Sequence, residues 1–220
     1  MPNKKGTGLL LVFCDVPADK EADFNKWYNE EHIPELLTIP GVLNAARYEA
    51  VKSGPKHLAC YELESPAVIQ SSAWKDRPRS AWAQRVGPRV IGKNLINNVY
   101  EMIRPARLTP KIAQSGMAPA LQIGRMDAAP QHDAEWNKWY NEVYTANYEK
   151  VPGCIQARRW RVVPPGAPKY AVVYELKDVH VSETAEWEKQ RDINPNNPRM
   201  RSYMTHAPGS PGVWQKTFQP

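Results

Sequence analysis

His32 stands beside Glu31 and four residues after Tyr28, and Arg47 lies a short distance downstream. An imidazole titrates near neutrality, so a histidine next to a carboxylate is suited to carrying a proton. Tyr28 or Arg47 could stabilise the oxyanion that such a transfer creates. His57 offers a second imidazole, although it follows a Gly-Pro turn and could lie at the solvent edge of a strand. Trp27, Tyr48, Trp74, Trp82 and Tyr100 are expected to furnish an aromatic wall. General acid–base work on a small aromatic or anionic molecule fits this set.

Other chemistries lack their usual signatures. The sequence has no GxGxxG or Walker-type loop, no HExxH, no Cys/His cluster and no GxSxG. No cofactor and no metal are therefore expected. Cys14, Cys60 and Cys154 form no CxxC and read as free, largely buried thiols.

The elements that must position these residues are written twice. Asn-Lys-Trp-Tyr-Asn-Glu occurs at 25–30 and again at 137–142. At the same offset Asp15 matches Asp127, Pro40-Gly41 matches Pro152-Gly153, and Arg47 matches Arg159. Tyr61-Glu62-Leu63 matches Tyr174-Glu175-Leu176 one residue out of phase, as a loop insertion would produce. A repeat this long is a domain pair rather than a solenoid. The expected division is a first unit over 1–106, a linker over 107–118 and a second unit over 119–220.

Within each unit the apolar pattern gives one order of elements. Leu9–Phe13 is a continuous apolar run and reads as a buried strand. Phe24, Trp27, Tyr28 and Glu31 share a helical face, and Pro34 should end that helix or open a second short one. Strands are expected over 42–51 and 57–63, then helical segments containing Trp74, then a strand over 99–103. The second unit repeats this with strands over 154–163, 170–176 and 213–218. The order is β-α-β-β-α-β, a ferredoxin-like unit. A sheet with both helices on one side must bury its other face, so two such units should pack sheet to sheet around a barrel-like core.

Composition limits the partners. The net charge of +6 is spread evenly, with 15 basic and 12 acidic residues up to position 110 and 14 and 11 after it. A nucleic-acid binder concentrates its charge, so nucleic acid is not expected, whereas an anionic small molecule is. No apolar stretch is long enough for a membrane span, and the N-terminus carries no signal-peptide pattern, so a cytoplasmic location is expected.

Trp27-Tyr28-Asn29-Glu30-Glu31-His32-Ile33-Pro34, with Ile39-Pro40-Gly41-Val42 and Arg47-Tyr48, resembles the EthD-like branch of the dimeric α+β barrel superfamily. The second copy lacks the Glu-His-Ile-Pro portion. The resemblance implies an intrachain pseudo-dimeric barrel with a pocket between sheet and helices of each unit, often holding a histidine as proton carrier. It spans lactone isomerases, aldol cyclases, decarboxylases and monooxygenases, so it specifies fold more than reaction.

Comparing the copies indicates where polar groups are retained. His32 becomes Tyr144, Glu31 becomes Val143 and His57 becomes Tyr170, while Arg47 persists as Arg159. A strand arginine kept in both copies reads as paired with Glu62 or Glu175, or as available to an anion. Tyr144 and Arg159 join the candidate binding residues. The expected protein is a cofactor-independent lyase or isomerase for an aromatic or lactone-type catabolic intermediate, with His32 as acid–base and Glu31 orienting it. The second copy is expected to carry a degenerate pocket, and the doubled chain could pair again as a homodimer. A non-catalytic binder of a hydrophobic metabolite and a small monooxygenase are the alternatives.

Overall fold

The computed structural model describes residues 3–220. The first copy runs β1 (Gly8–Asp15), α1 (Ala18–Trp27), a π-helical turn (Tyr28–His32), α2 (Ile33–Leu37), β2 (Val42–Lys52), β3 (His57–Leu63) and β4 (Lys93–Arg104), with short helices between β3 and β4. The second runs β5 (Ala120–Ala128), a helix (Asp133–Trp139), a π-helical turn (Tyr140–Tyr144), a helix (Thr145–Tyr148), β6 (Cys154–Val162), β7 (Tyr170–Leu176), β8 (Met204–His206) and β9 (Gly212–Phe218). Pro34 does open a second short helix, in its first turn. The strand expected over 99–103 is longer, and the linker contains a helix, Pro110–Gln114. The short strand β8 was not expected; it continues along the edge of β5 that β9 leaves free.

The hydrogen-bonded order is β7-β6-β4-β1-β3-β2-β9-β5, and β5 pairs with β7 to close an eight-stranded antiparallel barrel. Each copy supplies four neighbouring strands, joined to the other copy through β4–β6 and β2–β9. Closure leaves each unit without an exposed sheet edge at these seams. Equivalent bulges interrupt Val42/Asn44 and Cys154/Gln156, where extra strand twist helps the sheet curve. Gly41 and Gly153 take φ of +89° and +92° at the turn before each bulge, which explains the repeated Pro-Gly.

Alternation along the strands explains the continuous apolar runs. Leu9, Leu11 and Phe13 face the barrel interior with Tyr48, Tyr100, Trp160 and Trp214. Leu10, Val12 and Cys14 face the helices with Trp27, Tyr28 and Tyr61. Both faces of β1 are thus buried, so it shows no polar period.

The hexapeptide recurs because it holds an arginine. The buried Arg47 donates to Asn25 Oδ1 at 2.6 Å and Asn29 Oδ1 at 3.1 Å, and packs over Tyr28 at 4.8 Å. In the second copy Arg159 donates to Asn137 Oδ1 at 2.9 Å and Asn141 Oδ1 at 2.6 Å, and packs over Tyr140 at 4.3 Å. The pairing expected with Glu62 or Glu175 is not formed by these arginines. Asn29→Ala should cost about 1–3 kcal/mol of stability, because it strands a buried guanidinium N–H. Urea unfolding checks this, and an unchanged midpoint would refute the clamp.

Candidate active site

Between β1, β3 and the helices of the first copy lies a cavity of about 330 Å3. Trp27, Tyr28, His32 and Tyr61 form its aromatic side, and Trp74 closes another part of the wall. The π-helical turn builds this side. The i→i+5 hydrogen bonding of such a turn brings residues five apart close together, and here Trp27 and His32 stack with centroids 4.4 Å apart and planes at 20°. Trp139 and Tyr144 repeat the contact at 4.7 Å. The turn is not caused by Pro34, since the second copy has Ala146 there and keeps the turn.

His32 is mostly buried, and burial lowers its pKa, with Glu35 opposing. The imidazole is therefore held neutral at physiological pH, ready to accept a proton. Its Nδ1 lies 3.8 Å from Glu35 Oε2, an ion-pair distance rather than a hydrogen bond. Contact with His32 in turn holds the Glu35 carboxyl below its usual range. Glu35→Gln removes the main influence that raises the imidazole pKa. The acid limb of any His32-dependent activity should then move to lower pH, and NMR titration of His32 should show the same displacement. A limb moving upward would contradict the pairing.

The expected partner, Glu31, is placed otherwise. It accepts from Trp27 Nε1 at 2.9 Å and from the Ser80 hydroxyl, and it does not line the cavity. Glu31 thus fixes the indole on which His32 stacks, while Glu35 faces the imidazole. Comparison of the copies could have found Glu35, which aligns with Asn147. Tyr61 was also missed as a site residue. Its hydroxyl is buried in the cavity wall with no hydrogen-bond partner among the described residues. Burial raises the pKa of Tyr28 and Tyr61, so both remain phenols. Arg77, Arg79 and Arg89 stand around the rim; the first two come from irregular chain between β3 and β4, and Arg89 from a short helix, Pro88–Ile91.

The other candidates lie outside this cavity. Arg47 is taken up by its asparagines. Tyr48 sits inside the barrel and donates to the Ala118 carbonyl at 3.0 Å, and Tyr100 is also interior. Trp82 donates to Asp23 at 2.8 Å and ties the helical connection to α1. Tyr144 lines an equivalent cavity in the second copy, and Arg159 lines neither cavity.

His57 is buried rather than at a solvent edge, with Nε2 3.2 Å from Glu21 Oε1 and Nδ1 3.5 Å from Arg47 Nη2. Burial and then Arg47 lower its pKa. Glu21, Glu49 and His57 are close enough to share a cation. However, Lys56 already pairs with Glu21 and Arg47 abuts His57, so the positive charge is supplied. The second copy builds the same strand-to-helix tether from Tyr170, Asp133 and Lys169. The cluster is a structural tie.

Cys14 and Cys60 are buried and Cys154 is half-buried. Burial pushes the Cys14 and Cys154 thiols up to about 12, far from a nucleophile's range.

Two sheet-and-helix units closing one antiparallel barrel within a chain define the dimeric α+β barrel fold, here as an intrachain pseudo-dimer. Solved structures share it over nearly the whole length. An anthrone oxidase-like protein is 14% identical with a TM-score of 0.64, covering 99% of this chain and 94% of its own. A protein proposed to be a chlorite dismutase is 14% identical with a TM-score of 0.63, covering 99% and 96%. A protein from Fusobacterium nucleatum, proposed to be a monooxygenase, is 11% identical with a TM-score of 0.60, covering 97% and 94%. No protein-family model and no curated protein matches the sequence. Among the described residues no helix is long and apolar enough to cross a membrane.

Proposed function

We propose that the first-copy cavity is the active site of a cofactor-independent lyase or isomerase acting on a small aromatic or lactone-type anion. The observation that carries this is His32, kept neutral by burial and presented in the wall of an aromatic cavity beside a carboxylate. With Nδ1 turned toward Glu35, Nε2 is the nitrogen left for substrate. It takes a proton from carbon next to a carbonyl and returns it at another position, so an isomerisation needs no co-reactant. The unpartnered Tyr61 hydroxyl is suited to donate to the enolate oxygen, in place of the Arg47 role inferred from sequence. The rim arginines attract and orient an anionic group.

The test follows a panel of aromatic acids and unsaturated lactones in D2O by NMR, with wild type and His32→Ala. Deuterium entering beside the carbonyl, or product forming, only with wild type supports the reading. Saturable binding with every ligand recovered unchanged would make the cavity a metabolite-binding site instead. Oxygen consumption coupled to turnover would place the protein with the monooxygenases.

A further inference from the structure

The second copy, whose pocket the sequence comparison expects to be degenerate, has a cavity of about 320 Å3 in the equivalent place. Its strand wall differs at two positions: Leu10 becomes Gln122 and Val12 becomes Gly124. A Cβ at Gly124 would stand 2.9 Å from Met126 Cε and 3.1 Å from Val172 Cγ1, so a larger residue would press into a wall of this space.

The lining changes in chemistry rather than losing it. Tyr140 and Tyr174 repeat Tyr28 and Tyr61, while Tyr144 and Tyr148 stand where the first copy has His32 and Leu36. Tyr144 and Tyr148 share one weak contact, 3.4 Å between hydroxyls, which leaves one of the two protons unused. The Tyr174 hydroxyl, in a side chain only 3% exposed, has no hydrogen-bond partner among the described residues. Tyr140 is near enough to affect its ionisation, though the two hydroxyls fall outside hydrogen-bond geometry. A buried orphan donor is costly and points to a missing acceptor. At the more exposed end stand Arg191 and Arg201, whose carboxylate neighbour, Asp192, is itself 64% exposed and at 3.9 and 3.5 Å. No acidic side chain lines the cavity.

We propose that the second copy holds its own ligand site, for a single-ring aromatic carboxylate bearing a second oxygen. The carboxylate sits between Arg191 and Arg201, the ring lies among Tyr144 and Tyr148, and the far oxygen accepts from Tyr174. The volume, near the lower end for small-molecule pockets, suits one ring. Arginine provides the planar fork a carboxylate matches, and the tyrosines offer both ring faces and donors. Burial keeps Tyr148 and Tyr174 protonated, so both can donate.

The probe is 4-hydroxybenzoate, titrated into full-length protein and read at the tryptophan indole NMR signals. Trp187 packs on Tyr148 and Tyr174 and reports the second copy, whereas Trp27 reports the first. We expect saturable shifts at Trp187 that weaken about tenfold or more in Arg201→Gln and severalfold in Tyr174→Phe, with the Trp27 titration unchanged. Without ligand, Tyr174→Phe should match or exceed wild type in Tm, since it deletes an unsatisfied donor. Benzoate should bind more weakly than the probe. A silent Trp187 at millimolar probe, an unweakened Arg201→Gln, or inorganic phosphate binding as tightly would each overturn the assignment. Failure of catalysis by the first copy would leave these readings untouched.

Discussion

Replacing His32 with alanine should lower turnover by roughly 10²- to 10⁴-fold while the fold survives. The size follows from losing a positioned proton carrier, and the cavity holds no second imidazole to take over. Survival of the fold follows from how little else depends on the ring. It stacks on Trp27 and approaches Glu35 at ion-pair distance, and the second copy builds the same turn around Tyr144. His32→Tyr, which copies that natural alternative, should likewise fold and fail to turn over. Because the imidazole must be neutral to act as base, activity should rise with pH through a pKa below the ordinary histidine value and stay level above it. Turnover unchanged in His32→Ala would remove the residue from the mechanism.

Arg158→Ala should destabilise the protein by about 3–5 kcal/mol, the usual cost of breaking a buried ion pair from one side. Arg158 lies inside the barrel, donating to Glu62 Oε2 at 3.0 Å and Glu175 Oε1 at 3.1 Å, while Lys5 also pairs with Glu175. Two cations and two anions thus neutralise one another and bond the two copies together. Removing the arginine leaves Glu62 without its cation in the interior. For a chain of this size the change corresponds to roughly 6–20 °C in Tm. The same network sets an acid limit. Burial tends to raise the Glu175 pKa, but Lys5 and Arg158 outweigh it and hold the carboxyl below its usual value. Its contribution is therefore complete above the ordinary glutamate pKa and is lost as pH falls through the lowered one. Scanning calorimetry of Arg158→Ala near neutral pH checks the first point, and a Tm within a degree or two of wild type would refute it.

Part of the site was legible because the chain is written twice. Residues shared by the copies, such as the asparagines of the hexapeptide and Arg47/Arg159, belong to the frame, and His32 stands out by its replacement with Tyr144. Glu35 was equally visible against Asn147 but lies beyond a proline, where helical spacing from Tyr28 ceases to be a guide. The π-helical turn was not legible at all. It changes which residues stack, joining Trp27 to His32, and ordinary 3.6-residue periodicity cannot show it. Arg77 and Arg79 come from irregular chain with no period to place them, and Arg89 from a four-residue helix too short to show one.

The amino-acid sequence by itself determined the duplication, the order of the four barrel strands and the first helix in each copy and the need to bury their sheets against each other, because buried strands and repeated turns are local in origin. Which charges meet was left to the tertiary structure. Arg158 and Arg159 are neighbours in the chain, yet successive strand side chains point to opposite faces. One therefore enters the barrel to join Glu62 and Glu175, and the other turns outward to the asparagines of the helix. That division depends on which face of β6 closes over the interior, and only the assembled barrel decides it.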